Sequence, residues 1–270
     1  MEKKINLEIY CITNKRLEFL ENTSYNLGWV GESVAPKNYL QCNNGINIFY
    51  KEKYYSELTF QYWYWKNILK KENQNWIGFC QKRRFWLKNN DKISSHEKDD
   101  ILDKILFDPK LEWNNYQSII CKPVNVNKIK KIKMIKRNYK SLIKNPKPFF
   151  FQNSRTINFH FDMHHGYKNL DRAINLMDIN DREEFRKYVN TNTSFNPHIM
   201  FISKNVIIDK WFTNLFKWLF ECEKIFGFKE LKGYDTMRLY AYLAERYLSF
   251  WFKKYTKYLE WEWIFFDKNK

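Results

Sequence analysis

Paired cysteines are missing from this chain. Its five cysteines, Cys11, Cys42, Cys80, Cys121 and Cys222, are odd in number and form no Cys-x-x-Cys motif. Disulfide-rich and zinc-ribbon proteins need paired cysteines at short spacings. The pattern therefore excludes both frameworks, and it predicts reduced, mostly buried thiols in a cytoplasmic protein.

Long apolar runs are missing too. No stretch reaches the roughly 18 uncharged apolar residues of a membrane-spanning helix, and the first residues carry no apolar signal-peptide core. We expect neither a transmembrane helix nor a secretory leader. The Walker loop, G-x-G-x-x-G and G-x-S-x-G are also absent, so the signatures of P-loop proteins, dinucleotide-binding proteins and hydrolases with a nucleophile elbow are lacking.

Acidic residues are absent from residues 113–161, which hold eleven lysines and arginines in a chain of formal net charge +17. Such a block favours phosphate-bearing partners, whether lipid, glycan or nucleic acid. Within it, residues 127–144 place apolar side chains three or four positions apart between lysines, which predicts a basic amphipathic helix. A solvated, lysine-rich loop produced by nucleotide bias is the alternative.

An aromatic-rich stretch, residues 57–85, is the most informative part of the chain. Ser56 as N-cap and Glu57 at the positive end of the dipole predict the start of a helix. The helical spacing of its apolar residues predicts a buried stripe of Leu58, Tyr62, Trp65 and Leu69.

A short apolar strand, Trp76–Cys80, follows this helix and leads directly into Lys82, Arg83 and Arg84. Ligands of open α/β sheets bind beyond the carboxyl ends of strands. A guanidinium presents a planar fork of donors that suits a phosphate group. The three cations are therefore either a phosphate site or a solvated strand end.

This stretch resembles the signature of a bacterial domain family found in capsular and cell-surface polysaccharide gene clusters, whose members are described as glycosyltransferases. That family shows Glu-Leu-Thr, Tyr-Trp-x-Trp-Lys-Asn, Ile-Gly and His-Tyr-Arg-Arg-Tyr-Phe in this order. The matching residues are 57–59, 62–67, 77–78 and 83–85. Gln81 and Lys82 replace the family's His and Tyr, so no role of that His carries over.

The resemblance covers roughly residues 5–265, with further departures. Ile46 stands where the family often has Asp, which removes a metal ligand, and Ile199 replaces an Asn. Arg238 and Glu245 match family residues, and their spacing of seven places them on one face of a predicted helix. A buried structural pair is the alternative to a substrate contact.

The hydrophobic pattern and the resemblance together predict an α/β fold, with a GT-A-like nucleotide-binding sheet, flanking helices and a helical C-terminal part. We expect a single domain over residues 1–270, with a basic insertion at about 124–148. The predicted strands are Ile5–Thr13, Trp76–Cys80, Ser118–Lys122, Asn196–Ser203 and Glu260–Phe266, and the predicted later helices are Lys98–Asp108, Val206–Phe226 and Asp235–Tyr255. Leu20–Tyr55 is predicted to be mainly loop.

Histidines cluster at His160-Phe-Asp-Met-His-His165, which resembles a histidine segment of the family. Three interpretations stay open. A zinc site lacks a fourth ligand, packing or capping histidines need no ligand, and a polar acceptor or phosphate site fits the resemblance.

The resemblance implies a glycosyltransferase that moves a sugar from a nucleotide sugar, with UDP sugars favoured, to a growing capsular or lipopolysaccharide glycan. No Asp-x-Asp occurs, so no metal ligand is assigned, no cofactor is certain, and dependence on a divalent metal stays open. The implied roles are catalysis for Asp162, His164 and His165; nucleotide binding for Lys82, Arg83, Arg84, Thr13 and Asn67; and substrate binding for His160, Glu57, Arg238 and Glu245.

Two further expectations concern partners. The basic block predicts attachment to the inner, anionic face of the cytoplasmic membrane, where a lipid-linked acceptor would be found, and no specific nucleic acid is expected. A rival class is a non-catalytic basic module that binds anionic membrane or nucleic acid. A degenerate, inactive transferase is a third interpretation, because Ile46, Gln81 and Ile199 depart from the family pattern.

Overall fold

The fold is that of a computed structural model, which describes residues 6–72, 74–91, 101–128, 135–136, 142–143 and 146–267. The chain divides into two compact units. The first unit comprises residues 1–122, 198–213 and 251–270, and the second comprises residues 123–197 and 214–250. The single domain with a basic insertion stays a prediction, and the basic helix expected at 127–144 lies mostly outside the described residues.

A mixed sheet forms the centre of the first unit. Within the described residues its strand order is β3-β2-β1-β4-β9-β6-β10, with β5 and β11 paired beside this path. These strands are β1 (Leu7–Thr13), β2 (Asn26–Trp29), β3 (Leu40–Gln41), β4 (Trp76–Gln81), β5 (Arg84–Trp86), β6 (Ser118–Cys121), β9 (Phe201–Lys204), β10 (Tyr258–Trp261) and β11 (Trp263–Phe265).

All neighbours along this path are parallel except β9, which runs antiparallel to both β4 and β6. Every residue of β4 is buried, as a strand covered on both faces requires. Along the chain, β2 and then β3 are added on one side of β1, and β4 is added on its other side. The direction in which successive strands are added therefore reverses between β1 and β4.

The helices of the first unit are α1 (Glu52–Tyr55), α2 (Leu58–Asn67) and α3 (Ile101–Lys104). The second unit holds a short hairpin of β7 (Val124–Asn125) and β8 (Ser194–Phe195). Its helices are α4 (Lys147–Phe150), α5 (Ile157–His165), α6 (Asn169–Ile174), α7 (Ile179–Thr191) and α9 (Tyr234–Met237). The boundary between the units falls within α8 (Asn205–Phe226) and α10 (Leu239–Tyr255), so both helices contribute residues to each unit.

The expectation of an α/β fold with flanking helices is confirmed, as are β1, α2, β4, β6 and α8 as elements. All five cysteines are buried, as predicted. The predicted buried stripe of α2 is wrong in part. Tyr62, Trp65 and Leu69 are only partly buried, whereas the fully enclosed side chains are those of Leu58, Thr59, Phe60, Gln61, Trp63 and Tyr64.

The predicted stripe is wrong in part because α2 packs against other parts of the first unit on more than one side. Tyr64 lies 4.7 Å from the ring of Tyr10 in β1, and Trp63 donates a hydrogen bond of 2.8 Å to the side chain of Asn44 in the preceding loop. Ser56 does not act as the predicted N-cap. It adopts a left-handed φ of 52°, and its carbonyl accepts the hydroxyl of Thr59.

Other boundaries also differ from the prediction. The strand predicted over Asn196–Ser203 begins only at Phe201. Residues 20–55 contain β2, which pairs with β1 in the middle of the sheet. The helix expected at 98–108 ends at Lys104, because Ile105 forms an antiparallel bridge to Leu87. The closing strand is broken at Glu262, since Trp261 pairs with Cys121 of β6 while Trp263 pairs with Trp86 of β5.

The helix predicted over Asp235–Tyr255 is also broken, at Arg238. This residue has φ −88° and ψ 32° and ends α9. Its carbonyl accepts the N–H of Tyr242, the first-turn bond of α10. Arg238 therefore precedes the helix that carries Glu245, and the two residues do not share one continuous helix.

Replacing Gly28 with Ala should destabilise the first unit. An added Cβ would lie 2.5 Å from Cε2 of Phe60, which is fully buried. Overpacking of this kind costs about 1–3 kcal/mol, so we expect a lower Tm in thermal unfolding. The double variant G28A/F60L should lose less stability than the sum of the two single variants. Strictly additive losses would contradict this contact.

Candidate active site

The reversal between β1 and β4 marks the place where open α/β sheets bind ligands, beyond the carboxyl ends of the strands. β1 ends at Thr13, which is buried, and β4 ends at Gln81. Lys82 lies close to β1, because its N–H donates a 3.1 Å hydrogen bond to the carbonyl of Ile12. We call this region the switch edge.

Two short turns shape the switch edge. The hydroxyl of Thr13 donates to the carbonyl of Lys15 at 2.6 Å and accepts the N–H of Lys15 at 3.0 Å. The ammonium group of Lys82 donates to the side-chain oxygen of Asn14. Thr13 therefore organises the turn, while Lys82 and Lys15 carry its positive charge.

Arg83 lies in the tight turn between β4 and β5, and Arg84 is the first residue of β5. Arg83 forms an ion pair of 3.2 Å with Asp267, and 41% of its side chain stays exposed. Arg84 donates to Gln81 at 3.2 Å. Both guanidinium groups lie 5.6 Å from the ring of Phe265, so the two arginines share one aromatic support.

A cavity of about 280 Å³ opens beyond the ends of β2 and β3. Its wall combines the indole of Trp29 with polar groups from the following loops, including Glu32, Gln41 and Asn43. Trp29 is held by a 2.9 Å hydrogen bond from its Nε1–H to the carbonyl of Ser33. The cavity is lined by the aromatic residues Trp29 and Phe49 and by several hydrogen-bonding groups.

In the second unit, α5 carries the histidine cluster. The side chain of Thr156 caps this helix by accepting the N–H of Phe159. His165, 6% exposed, stacks on Tyr242 at 3.7 Å. Its Nδ1 lies 2.7 Å from the carbonyl of Asp235. Because a carbonyl only accepts, Nδ1 of His165 carries the proton in that contact.

Asp162 lies on the same helix, three residues before His165. Burial raises the pKa of this carboxyl to about 7, against the lowering effect of the Lys168 N–H and with a further increase from nearby Asp171. Its oxygen accepts that N–H at 2.9 Å. A carboxyl with a pKa near neutrality has the property that a general base requires.

His160 and His164 lie one helical turn apart, with ring centroids separated by 4.6 Å. Arg246 from α10 reaches Nδ1 of His160 at 3.3 Å and pairs with the carboxylate of Glu245. His160, His164, Glu245 and Arg246 thus form one cluster, and substrate binding by Arg238 stays a prediction.

A comparison with protein families matches residues 8–257 to DUF4422, described as a domain of unknown function. The chain belongs to the DUF4422 family. No curated protein matches its sequence.

Among solved structures, this DUF4422 chain is similar to the apo structure of the bifunctional glycosyltransferase WbbM, with a TM-score of 0.61 and 18% sequence identity. The likeness covers 98% of this chain and 46% of that chain, so the DUF4422 chain spans about half the length of the structure it matches. At this identity the likeness establishes the fold alone, and the predicted α/β fold with flanking helices is confirmed. None of the described helices has both the length and the apolar character needed to cross a membrane.

Two of the predicted binding residues of the DUF4422 chain lie at the two ends of α2. Asn67 ends α2, where its amide accepts the N–H of Ile46 at 3.0 Å and donates to the carbonyls of Ile46 and Trp63. These bonds hold the 43–47 loop. Glu57 lies at the start of α2. Nucleotide binding by Asn67 and substrate binding by Glu57 stay predictions.

His198 is a residue that the sequence analysis missed. It precedes β9, and because β9 is antiparallel, its start lies at the edge where β4 and β6 end. His198 adopts a left-handed φ of 66°, a conformation that is uncommon outside glycine, and its ring meets Trp263 edge-on at 4.7 Å. The available signal was a histidine directly after Pro197 at the start of a predicted strand.

Within the part of the chain that the structure describes, no three His, Cys, Asp or Glu side chains are arranged to hold a metal ion. This includes the histidine cluster, whose zinc interpretation therefore lacks a described ligand set. Lys82, Arg83 and Arg84 place positive charge at the switch edge, where an anionic ligand could bind.

Asp162→Asn should change the pH dependence of stability. A carboxyl whose pKa rises from 3.8 to about 7 on folding contributes stability at low pH that is lost as pH rises through about 7. Asn does not ionise, so the Tm of D162N relative to wild type should increase between pH 5 and pH 8, measured by differential scanning fluorimetry.

Asp178→Asn is the matched control. Hydrogen bonding to the N–H of Asn180 is the main reason why the pKa of Asp178 lies below its ordinary value, so it stays ionised over that range. The Tm difference of D178N should be flat from pH 5 to pH 8. A flat difference for D162N would show that Asp162 titrates as an ordinary surface carboxyl.

Proposed function

We propose that this DUF4422 chain is a glycosyltransferase whose nucleotide-sugar donor binds at the switch edge. The observation that carries the proposal is the position of Lys82 and Arg83 beyond the end of β4, beside the end of β1, in a GT-A-like sheet. Cations at a topological switch point suit the diphosphate of a donor, because its charge increases as the sugar bond breaks.

The chemistry requires stabilisation of the leaving diphosphate. Glycosyl transfer passes through an oxocarbenium-like state, and preorganised positive groups lower its energy by neutralising the developing charge on the leaving group. Lys82, Arg83 and Arg84 would supply this charge from the protein. Thr13 would hold the turn that presents Lys15 and Asn14.

The nucleoside of the donor would bind in the cavity beyond β2 and β3. Trp29 supplies an aromatic wall, and Gln41 and Asn43 supply amide donors and acceptors. Such a cavity suits a pyrimidine ring, and for this reason we favour a UDP sugar over donors with a larger purine base.

The acceptor would be a hydroxyl of a growing capsular or lipopolysaccharide glycan, with a general base that takes its proton. Such a base contributes typically about 10²–10⁴ in rate. Asp162 is the first candidate because burial places its pKa at about 7. His164 and His165 are the alternatives. Arg238, Glu245 and His160 are proposed to bind substrate.

Removing the cations should weaken donor binding. We expect K82A and R83A/R84A to reduce affinity for a nucleotide sugar about tenfold or more each, since a charge-assisted hydrogen bond contributes about 1.5–3 kcal/mol. A Lys at position 83 in place of Ala should restore little of the affinity for the nucleotide sugar, because an ammonium group lacks the planar fork of a guanidinium. Isothermal titration against UDP, GDP, dTDP and CMP sugars measures this.

Lys204→Gln is the control for loss of positive charge. Lys204 ends β9 and pairs with Trp76, the first residue of β4, so it lies at the opposite edge of the same sheet. K204Q should bind donor as wild type does. Equal affinity in wild type, K82A and R83A/R84A would refute the donor site, and a lack of binding by every nucleotide sugar would count against the transferase itself.

The rival function is a non-catalytic basic module, and the block at residues 127–144 favours it. Its eight lysines and arginines would attach the chain to anionic lipid, at about 1 kcal/mol for each engaged cation. In our proposal this attachment instead brings a transferase to a lipid-linked acceptor at the inner face of the cytoplasmic membrane.

Sedimentation with phosphatidylserine vesicles tests the membrane contact. Binding should weaken between low and high salt and disappear when the lysines of residues 127–144 become Gln, while that variant still binds donor. If the Gln variant loses donor binding as well, the block belongs to the donor site. No sedimentation at low salt would end the membrane proposal.

A further inference from the structure

Arg246 is a charged residue at a position where charge is costly. It is 1% exposed, and its guanidinium lies 3.9 Å from the ring centroid of Phe195 in β8 and 5.7 Å from that of Phe161. Burial lowers the pKa of Arg246 from its ordinary value, with Glu245 acting in the opposite direction. A buried ion pair is weak evidence for a stabilising role, so stability alone does not explain why Arg246 is buried here.

The contact between Arg246 and His160 determines which nitrogen of the imidazole carries the proton. Nη2 of Arg246 lies 3.3 Å from Nδ1 of His160. A guanidinium has five N–H donors and no acceptor. Nδ1 of His160 must therefore present its lone pair to Arg246, and the proton of the neutral ring must be on Nε2.

The same contact opposes protonation of His160. A proton on Nδ1 would oppose the N–H of Arg246 and would add a second positive charge beside it. Further titratable groups near this contact are Glu245, which pairs with Arg246, His164, one turn along the same helix, and Tyr242, which acts on Arg246. Phe195, from the neighbouring strand β8, adds no charge.

We propose that Arg246 is a positioning residue that holds His160 neutral, with its proton on Nε2, so that His160 acts as a hydrogen-bond donor and not as a proton acceptor. The ligand group at this position would be a hydrogen-bond acceptor, such as a hydroxyl or phosphate oxygen of the substrate. This rests on the proposed transferase function for its biological meaning, whereas the tautomer itself can be measured without turnover.

The contrast with His165 supports this division of roles. Nδ1 of His165 faces a carbonyl and donates to it, whereas Nδ1 of His160 faces a guanidinium and accepts from it. The two histidines of one helix therefore carry their protons on opposite nitrogens. His160 therefore stays a proposed substrate-binding residue, and the candidates for general base stay Asp162, His164 and His165.

Nitrogen-15 NMR of histidine-labelled protein tests the inference directly, because the chain has only five histidines to assign. In wild type we expect His160 as the Nε2–H tautomer, with a pKa at least about one unit below the ordinary value of about 6.5. His165 should show the Nδ1–H tautomer. A His160 that is protonated at pH 6.5, or that carries its proton on Nδ1, would overturn the proposal without any variant.

Variants distinguish the positioning of His160 by Arg246 from a general effect on the fold. R246Q should raise the pKa of His160 by about one unit or more and mix its tautomers, whereas R246K, which keeps a cation, should change it less. Arg172→Gln removes an exposed guanidinium from α6 of the same unit and should leave His160 unchanged. An unaltered His160 in a folded R246Q would refute the role of Arg246.

Turnover distinguishes a donor from a base once a nucleotide sugar is found. His160→Gln places an amide N–H close to the position of Nε2 and should keep at least about a tenth of wild-type kcat, whereas His160→Glu, which only accepts, should keep far less. Equal loss in both variants would contradict the donor role. If wild type shows the expected tautomer but transfers no sugar, the transferase proposal fails and the positioning of His160 stands.

Discussion

The packing of α2 on the sheet is the constraint on which the first unit depends. Gln61 is fully buried, and its amide donates to the carbonyl of Ile199, just before β9, at 2.9 Å. The ring of Phe60 fills the space beside Gly28 in β2. One helix therefore fixes the approach to β9 and the spacing of β2 at once. The carboxyl ends of β1 and β4 are positioned by the strands on either side of them, so the candidate donor site depends on this helix without containing it.

Sequence patterns predicted the elements that are buried along their whole length. They failed for elements whose packing or strand-pairing partners change along the chain. β4 was predictable because a run of buried residues between turns needs no further information. β2 was not predictable, because its Asn-Leu-Gly-Trp sequence is short and includes a glycine. The ring of Phe60 occupies the space that a side chain at Gly28 would need. The break at Glu262 arises from an exchange of partners, from β6 to β5. A single chain carries no local signal of such an exchange.

The same distinction applies to the candidate site. Lys82 and Arg83 were predictable because a strand end followed by cations is a local pattern, and the sheet topology then gave that strand end its importance. The relation of Arg246 to His160 was not predictable, since it joins residues 86 positions apart through a hydrogen bond. His198 was missed for a different reason. Its significance lies in a backbone conformation and in the direction of β9, and neither is visible in the order of residues.

The contacts of the switch-edge cations bear on how an anion would bind there. Lys82 contacts the amide of Asn14 and Arg84 contacts the amide of Gln81, and such contacts orient a cation without neutralising it. Arg83 differs, because Asp267 is a full negative charge at 3.2 Å. A diphosphate that recruits Arg83 must either share it with Asp267 or leave that mostly buried carboxylate without its ion pair, which is costly. The planar fork of donors makes arginine well suited to phosphate, but at Arg83 the existing ion pair with Asp267 reduces this advantage. Lys82 lies beside β1 at the reversal of the sheet, and an anion that binds there would meet its ammonium group next to the side-chain oxygen of Asn14.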